Sequence, residues 1–466
     1  MAWRRAWILG LWAALSCGGA GARPAAVPTD QPVDAAAARI YAAALQDRGA
    51  WLKLVELCDD IGHRLSGSPQ LDQAIAWAQR AMLADQLAAV RAEPVRVPVW
   101  RRGEESLQVL EPRLLPLEVL GLGGSVATPE QGIAAEVVVV SGRADLQQRG
   151  SQLRGKIAVI NQPMPQWSAL TGTGYAAAVQ ARVYGAQWAA EQGAVAVLVR
   201  SVTAHSLGAP HTGGMRYGDA AIRIPAAAIS TESAELLARW QARGKAAKVL
   251  LKMQAATLPD AQSANVVAEI RGRERPEEVV VIGGHLDTWD VGQGAHDDGA
   301  GCAMAMQAAA VIQRLGLVPR RTIRVVLWTN EENGLAGARA YAAAHASEKH
   351  VAALESDGGA FEPQAIGLAH PNPAVQAAAV GKLAHLLARM PGGLVVQAGI
   401  GSADASPLAE KGVVALSLQV RQDRYFDYHH SAADTVDKVD PAQLAKGSAT
   451  LAALAWLLAE GEVLGE

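Results

Sequence analysis

Residues Gly283–Gly301 read "GGHLDTWDVGQGAHDDGAG", with two histidines and four aspartates among glycines. The run "EEVVVI" (277–282) precedes it, and its apolar, β-branched character marks a buried strand. After it comes "CAMAMQAAAVIQRLG" (302–316), a helix-forming run that stops at a glycine. Strand, glycine-rich turn and helix in that order suggest a phosphate cradle, a metal site or a plain polar turn. The cradle fails: the Gly-Lys-Ser/Thr ending of a P-loop is missing, and the aspartates would repel phosphate. The other two readings have to be separated by the rest of the chain.

Downstream the pattern repeats. "RTIRVVLWT", "VAALES" and "VVALSLQV" read as strands. "AGARAYAAAHA", "PAVQAAAVGKLAHLLARM" and "PAQLAKGSATLAALAWLLAEG" read as helices. Such alternation predicts an α/β fold with a mostly parallel central sheet flanked by helices. Upstream, residues 35–90 are expected to be largely helical. Leu71, Ile75, Ala78 and Met82 fall at helical spacing behind a Ser-Pro start in "LSGSPQLDQ". "EPVRVPVW" then reads as extended. Between about 118 and 255 the texture changes to short apolar strands such as "AAEVVVVS" and "AVAVLVRS". No acid–histidine cluster lies there, so this stretch is expected to be a smaller α/β insert. The domains are therefore drawn as 31–117 and 262–466 for the main unit and 118–255 for the insert. "PHTGGMRYGD" (210–219) reads as a solvated loop; the alternative is a lid leaning over a site on the other domain.

With 466 residues, 50 % of them hydrophobic, the chain can build a sizeable core. A net charge of −3 without a long basic run argues against a nucleic-acid partner. Residues 1–22 read as a signal peptide: "MAWRR" is basic, "AWILGLWAALS" is apolar but too short to span a bilayer, and "AGA" suits cleavage. A secreted, periplasmic or envelope location follows, with no membrane span in the mature region. "ALSC" partly resembles a lipoprotein box, which leaves a lipid anchor at Cys17 open. The two cysteines beyond it, Cys58 and Cys302, fit two buried thiols as well as one disulfide.

In open α/β sheets ligands bind beyond the carboxyl ends of the strands, and the acids and histidines fall there. His285 and Asp287 follow one strand, Glu331 and Glu332 another, and Asp357 a third. His429 and His430 follow a fourth, and Asp297 and Asp298 open a helix. Taken singly, each has a bland reading: a His-x-Asp pair is commonly structural, "EE" a solvated turn, Asp357 a helix cap and "HH" a surface loop. Gathered on one rim they suit divalent zinc, which takes imidazole and carboxylate and keeps a position for water. Two histidines and three carboxylates can hold two ions if one carboxylate bridges. Such a pair can share a hydroxide nucleophile and polarise a carbonyl. The adjacent Glu331 and Glu332 can divide the tasks of base and ligand. Asp287 could fix the tautomer of His285, and Asp434 could do the same within "HHSAADT".

The runs "GGHLDTWDVGQGAHDDGAG", "TNEENG", "ESDGG", "GSADASPLAEKGV" and "YFDYHHSAADT" resemble, in order and spacing, the co-catalytic zinc aminopeptidase and glutamate carboxypeptidase family. The resemblance extends over essentially the whole mature chain, and the insert resembles the protease-associated domain that family carries. It implies two zinc ions, one held by His285 and Asp357, the other by Glu332 and His430, with Asp297 bridging. It also implies Glu331 as general base, Asp287 as the residue orienting His285, a cis Asp297–Asp298 peptide bond, and Asp404 and Tyr425 as substrate contacts. The implied activity is hydrolysis of short peptides, dipeptides foremost, by an exopeptidase that is often a homodimer. Two rivals are a glutaminyl cyclase-like transferase and a non-catalytic binding protein on the same fold. His296, beside the bridging position, receives no role.

Overall fold

The computed structural model describes residues 33–168, 171–218 and 222–465; the signal segment and Cys17 lie outside them. Two sheets of eight strands each organise the described residues. The first runs Ala88–Arg101, Ala256–Ile270, Arg321–Trp328, Arg275–His285, Lys349–Glu355, Ala415–Val420, Pro363–Ala369, Val395–Ala398. Its centre is parallel, from Arg321–Trp328 across to Ala415–Val420. Its flanks contain antiparallel pairs, so the sheet is more mixed than the alternating pattern alone suggests. Ala256–Ile270 escapes sequence reading because its first half, "ATLPDAQS", is too polar to signal a strand. That half is held by Ala88–Arg101 beside it, paired from Val95↔Ser263 to Arg101↔Ala256.

Helices cover both faces. Pro69–Ala84 starts where expected: the Ser68 side chain accepts the Leu71 N–H, and Pro69 fills the first turn where no donor is needed. Ala300–Arg314 and Pro441–Glu460 are buried on nearly every side. Alanine explains this, because small side chains let helices approach closely. At Gly447 a Cβ would fall 2.1 Å from the Met304 sulfur. These helices are apolar because they are central. None of the described helices is long and apolar enough to cross a membrane. Cys58 and Cys302 are both free and buried, which decides for two thiols over a disulfide.

The second sheet runs Leu115–Leu117, Glu105–Glu111, Lys248–Met253, Ile133–Val140, Ile157–Ile160, Ala196–Arg200, Ala226–Ile229, Val119–Gly121. Tyr175–Glu191 and Thr231–Ala242 pack on it. Its first strands, 105–111 and 115–117, fall in the stretch assigned from sequence to the main unit. The reason is pairing: Glu105–Glu111 is antiparallel to Lys248–Met253, a partner that no local pattern reveals.

Candidate metal centre

His285 ends the strand Arg275–His285, so its side chain emerges at the carboxyl edge of the parallel core. The two glycines before it are a packing requirement. A Cβ on Gly284 would lie 2.2 Å from an Asp298 carboxylate oxygen and 3.0 Å from the Cys302 backbone nitrogen. The absent side chain lets the start of the Ala300–Arg314 helix close against the strand. Asp298 uses the gap, accepting the N–H groups of His285 at 3.1 Å and Gly301 at 3.0 Å. The Asp297–Asp298 peptide bond is cis.

Around His285 the rim residues converge. Its Nε2 lies 3.2 Å from Asp297 Oδ1 and 3.5 Å from Asp357 Oδ1. On the other side of Asp297, His430 Nε2 lies 3.1 Å from Oδ2 and 3.0 Å from Glu332 Oε2. Asp297 thus faces both histidines with different oxygens. His429 Nε2 is further, 3.6 Å from Asp297, and its ring stacks on His430 with centroids 3.6 Å apart. Buried in this cluster, His285 Nε2, Asp297 Oδ2 and Glu332 Oε1 have no hydrogen-bond partner among the described residues. Buried polar atoms are normally satisfied, so orphaned atoms of imidazole and carboxylate pointing at one another fit a cation. Three overlapping groups have ligand atoms within 4.8 Å of one another: His285, Asp297 and Glu332; His285, Asp298 and Asp357; Asp297, His429 and His430.

The electrostatics agree with that chemistry. Burial pushes Glu332 up to about 7, aided by the Asp297 charge. Burial also opposes ionisation of Asp297, but the His285 and His430 rings beside it outweigh burial and hold the carboxyl well below the usual range. Glu331 is pushed well above that range by burial, with Asp357 and Glu332 close by.

Two orienting roles differ from the sequence expectation. The Asp287 carboxylate is 4.0 Å from His285 Nδ1, whereas the Asp287 backbone carbonyl is at 2.9 Å. The carboxylate instead accepts the N–H groups of Glu331 at 3.0 Å and Glu332 at 3.4 Å, and the Ser66 hydroxyl at 3.2 Å. It holds the turn that carries the two glutamates. Asp434 likewise grips the Asp297 segment, not His430, accepting the N–H of His296 at 2.8 Å and of Asp297 at 3.1 Å.

A cleft of about 760 Å³ opens over the cluster. Glu331, Asp357, Tyr425 and His430 line it on one side, Arg182 and Met215 of the insert on the other. The described part of "PHTGGMRYGD" is therefore no solvated loop: Thr212 and Gly213 are buried, and the Thr212 N–H donates to the His430 carbonyl of the main unit, as the lid alternative required. Asp404, by contrast, does not line the cleft and is 1 % exposed. Its backbone N–H donates to Glu355 Oε2 at 2.9 Å, so it stands behind the rim, and a substrate contact for it is not retained. A larger cavity, about 850 Å³, lies at the opposite end of the strands by Arg275, Arg320 and Arg321, away from every candidate residue.

Sequence reasoning missed Arg64, whose guanidinium is fully buried and donates to the carbonyls of Leu286 and Gln293, both at 2.8 Å. It ties the loop between His285 and Asp297 to the N-terminal helices. "HRLSGS" carries no local signal for that task. Thr212 and Arg182 were missed because they belong to the insert.

A strand-edge cluster of buried carboxylates and histidines, on an α/β sheet with an inserted second sheet, defines a site able to hold divalent metal. Residues 265–455 match peptidase family M28, and residues 126–237 match the PA domain. The chain is 43 % identical to carboxypeptidase Q of Bos taurus over 88 % of this chain and 85 % of that one, and 42 % identical to the Homo sapiens protein over the same shares. A peptidase M28 precursor from Shewanella amazonensis superposes with a TM-score of 0.86 at 37 % identity, covering 92 % of this chain and 97 % of that one. A zinc aminopeptidase from Bacillus subtilis shares the fold, with a TM-score of 0.65 at 19 % identity over 90 % and 97 %. The chain belongs to peptidase family M28.

Proposed function

We propose that the protein is an exported dizinc exopeptidase that hydrolyses short peptides, dipeptides foremost. The observation that carries this reading is the pair of histidines facing different oxygens of Asp297, each with a further carboxylate at hand. In it, His285 and Asp357 would hold one zinc and Glu332 and His430 the other, with Asp297 shared between the two. Bound zinc would supply a Lewis acid for the scissile carbonyl and a lowered pKa for water. The protein's own groups do the rest. Glu331, on the cleft wall next to Glu332, takes the proton from the attacking water and returns it to the leaving amine. Asp287 fixes both glutamates through their backbone N–H groups. Tyr425 and the insert wall enclose a small substrate and exclude bulk water. Small peptides are favoured because the insert closes over the cleft. Export rests on the N-terminal "MAWRRAWILGLWAALSCGGAGA" run.

The test is a dipeptide panel on zinc-loaded protein, with metal content measured, and Glu331→Gln alongside. The wild type is expected to bind two zinc ions and cleave dipeptides. Glu331→Gln is expected to keep both ions and lose about 10²–10⁴-fold in kcat. Full activity in that variant would remove Glu331 as the base. Pyroglutamate formation in place of hydrolysis would move the protein to transferase chemistry.

A further inference from the structure

The two histidines of the metal centre are held in different ways. His285 is oriented from within its own loop, its Nδ1 2.9 Å from the Asp287 carbonyl. His430 is oriented from the insert. Its Nδ1 lies 3.3 Å from the Thr212 carbonyl. In return the Thr212 N–H donates to the His430 carbonyl at 2.9 Å. His430 also has φ +60, in the left-handed region that a non-glycine residue occupies at a cost. The bond from Thr212 restrains the peptide unit that follows that torsion.

The chemistry gives this contact a direction. His430 Nε2 faces Asp297 and Glu332. An imidazole that binds metal through Nε2 keeps its proton on Nδ1 and donates it to a fixed acceptor. The acceptor within reach is the Thr212 carbonyl; Arg182 Nη1 lies 3.4 Å from that oxygen and 3.3 Å from Nδ1, and with a metal on Nε2 it can donate to the carbonyl alone. Thr212 is itself anchored. Its Oγ1 donates to the Gly121 carbonyl at 2.7 Å and accepts from Arg102 at 3.4 Å, and Arg102 pairs with Asp290. Gly213 has φ +138, and a Cβ there would lie 2.4 Å from the Arg182 guanidinium carbon, so glycine lets the turn press onto Arg182.

The geometry points to Thr212 as a positioning residue for His430: the insert sets the tautomer and direction of one ligand of one ion, while the other ion is served wholly by the main unit. This rests on the proposed ligand role of His430. It makes the insert a part of the metal centre as well as a cover over the cleft.

Zinc affinity and stoichiometry, read by competition with a chelating dye, test it on full-length wild type, Thr212→Val, Thr212→Ser and His430→Ala, with the melting of each metal-free protein as the fold control. Wild type should bind two ions. His430→Ala should lose one. Thr212→Val keeps the shape but loses the hydroxyl anchor, and should bind one ion as wild type and the other about 10–100-fold more weakly, the range for outer partners of metal ligands. Thr212→Ser should restore the affinity. Should Thr212→Val melt early, Asp290→Asn loosens the same turn from outside the site and should weaken the same ion by a smaller factor. Two wild-type affinities in Thr212→Val and Asp290→Asn, with His430→Ala losing an ion, would overturn the inference alone. Unchanged binding in His430→Ala would overturn the ligand reading and the inference with it.

Discussion

The ring of His296 lies parallel to that of Phe361, with centroids 4.5 Å apart and 3° between the planes. Tyr428 stacks beyond it at 5.5 Å and 7°. His296 Nδ1 accepts the Ala360 N–H at 3.2 Å. The residue without a role in the sequence thus joins three segments, those carrying Asp297, Asp357 and His430. Burial pushes its pKa down to about 4, so it is neutral across the physiological range. His296→Phe should keep the stack and leave the Ala360 N–H unsatisfied, costing about 1–3 kcal/mol in a denaturant titration. A cost near zero would show that the stack alone does the joining.

The Asp287 carboxylate is the hub of the Glu331–Glu332 turn. Asp287→Asn halves its acceptor capacity. We expect kcat to fall about 10–100-fold, the usual effect of removing an outer partner at a metal site, with the melting temperature little changed. Steady-state kinetics beside a melting curve separate that outcome from simple destabilisation.

Gly301 sits where a Cβ would fall 1.9 Å from the Ser356 carbonyl oxygen. Backbone cannot yield as a side chain tip can. Gly301→Ala should destabilise by about 3 kcal/mol, at the upper end for overpacking, and should disturb the Asp357 segment that follows Ser356. A denaturant midpoint equal to wild type would disprove that tight approach.

Far from the cleft, His345 bridges Glu93 at 3.1 Å and Glu348 at 2.9 Å, and Arg324 joins Glu348 and Glu269. The hydrogen bond to Glu93 raises the His345 pKa. A raised pKa stabilises the fold fully below the unfolded value, about 6.5, and the gain is lost as pH rises through the folded value. Glu93 and Glu348 are lowered: burial opposes, but His345 with Arg91 and Arg324 respectively prevails. Their gain holds above about 4.3 and is lost as pH falls through their folded values. His350 is pushed down to about 4 by burial, so acid costs stability between about 6.5 and that value. The wild type should therefore exceed His345→Gln in denaturant midpoint at pH 6, and the gap should narrow by pH 9. A gap independent of pH would remove His345 from the ionic network.

What could be read from the sequence follows a physical division. His285, Glu332 and Asp357 stand at or just past the ends of strands whose apolar runs announce themselves, and Asp297 and His430 lie in the segments that follow such strands, so a common rim could be inferred. The Ser68 cap and Pro69 are local signals, and they work locally. Ala256–Ile270 and Glu105–Glu111 form through pairing with distant strands, and their polar alternation is silent without the partner. Asp287 and Asp434 were read as ring acceptors because spacing favours that. Their carboxylates turned to backbone N–H groups because a tight loop leaves those donors unpaired. Thr212 works through its backbone, which no residue type betrays.

Arg101 and Ala256 are partners across one antiparallel pair. The chain leaves the main sheet on one strand and returns on its neighbour, so everything between them forms the loop of an oversized hairpin. The entropy of closing a loop grows only with the logarithm of its length, so an excursion of this size adds little to it. The price of the graft lies elsewhere: a hairpin trimmed to a short turn would leave the main sheet intact and take away the carbonyl that faces His430.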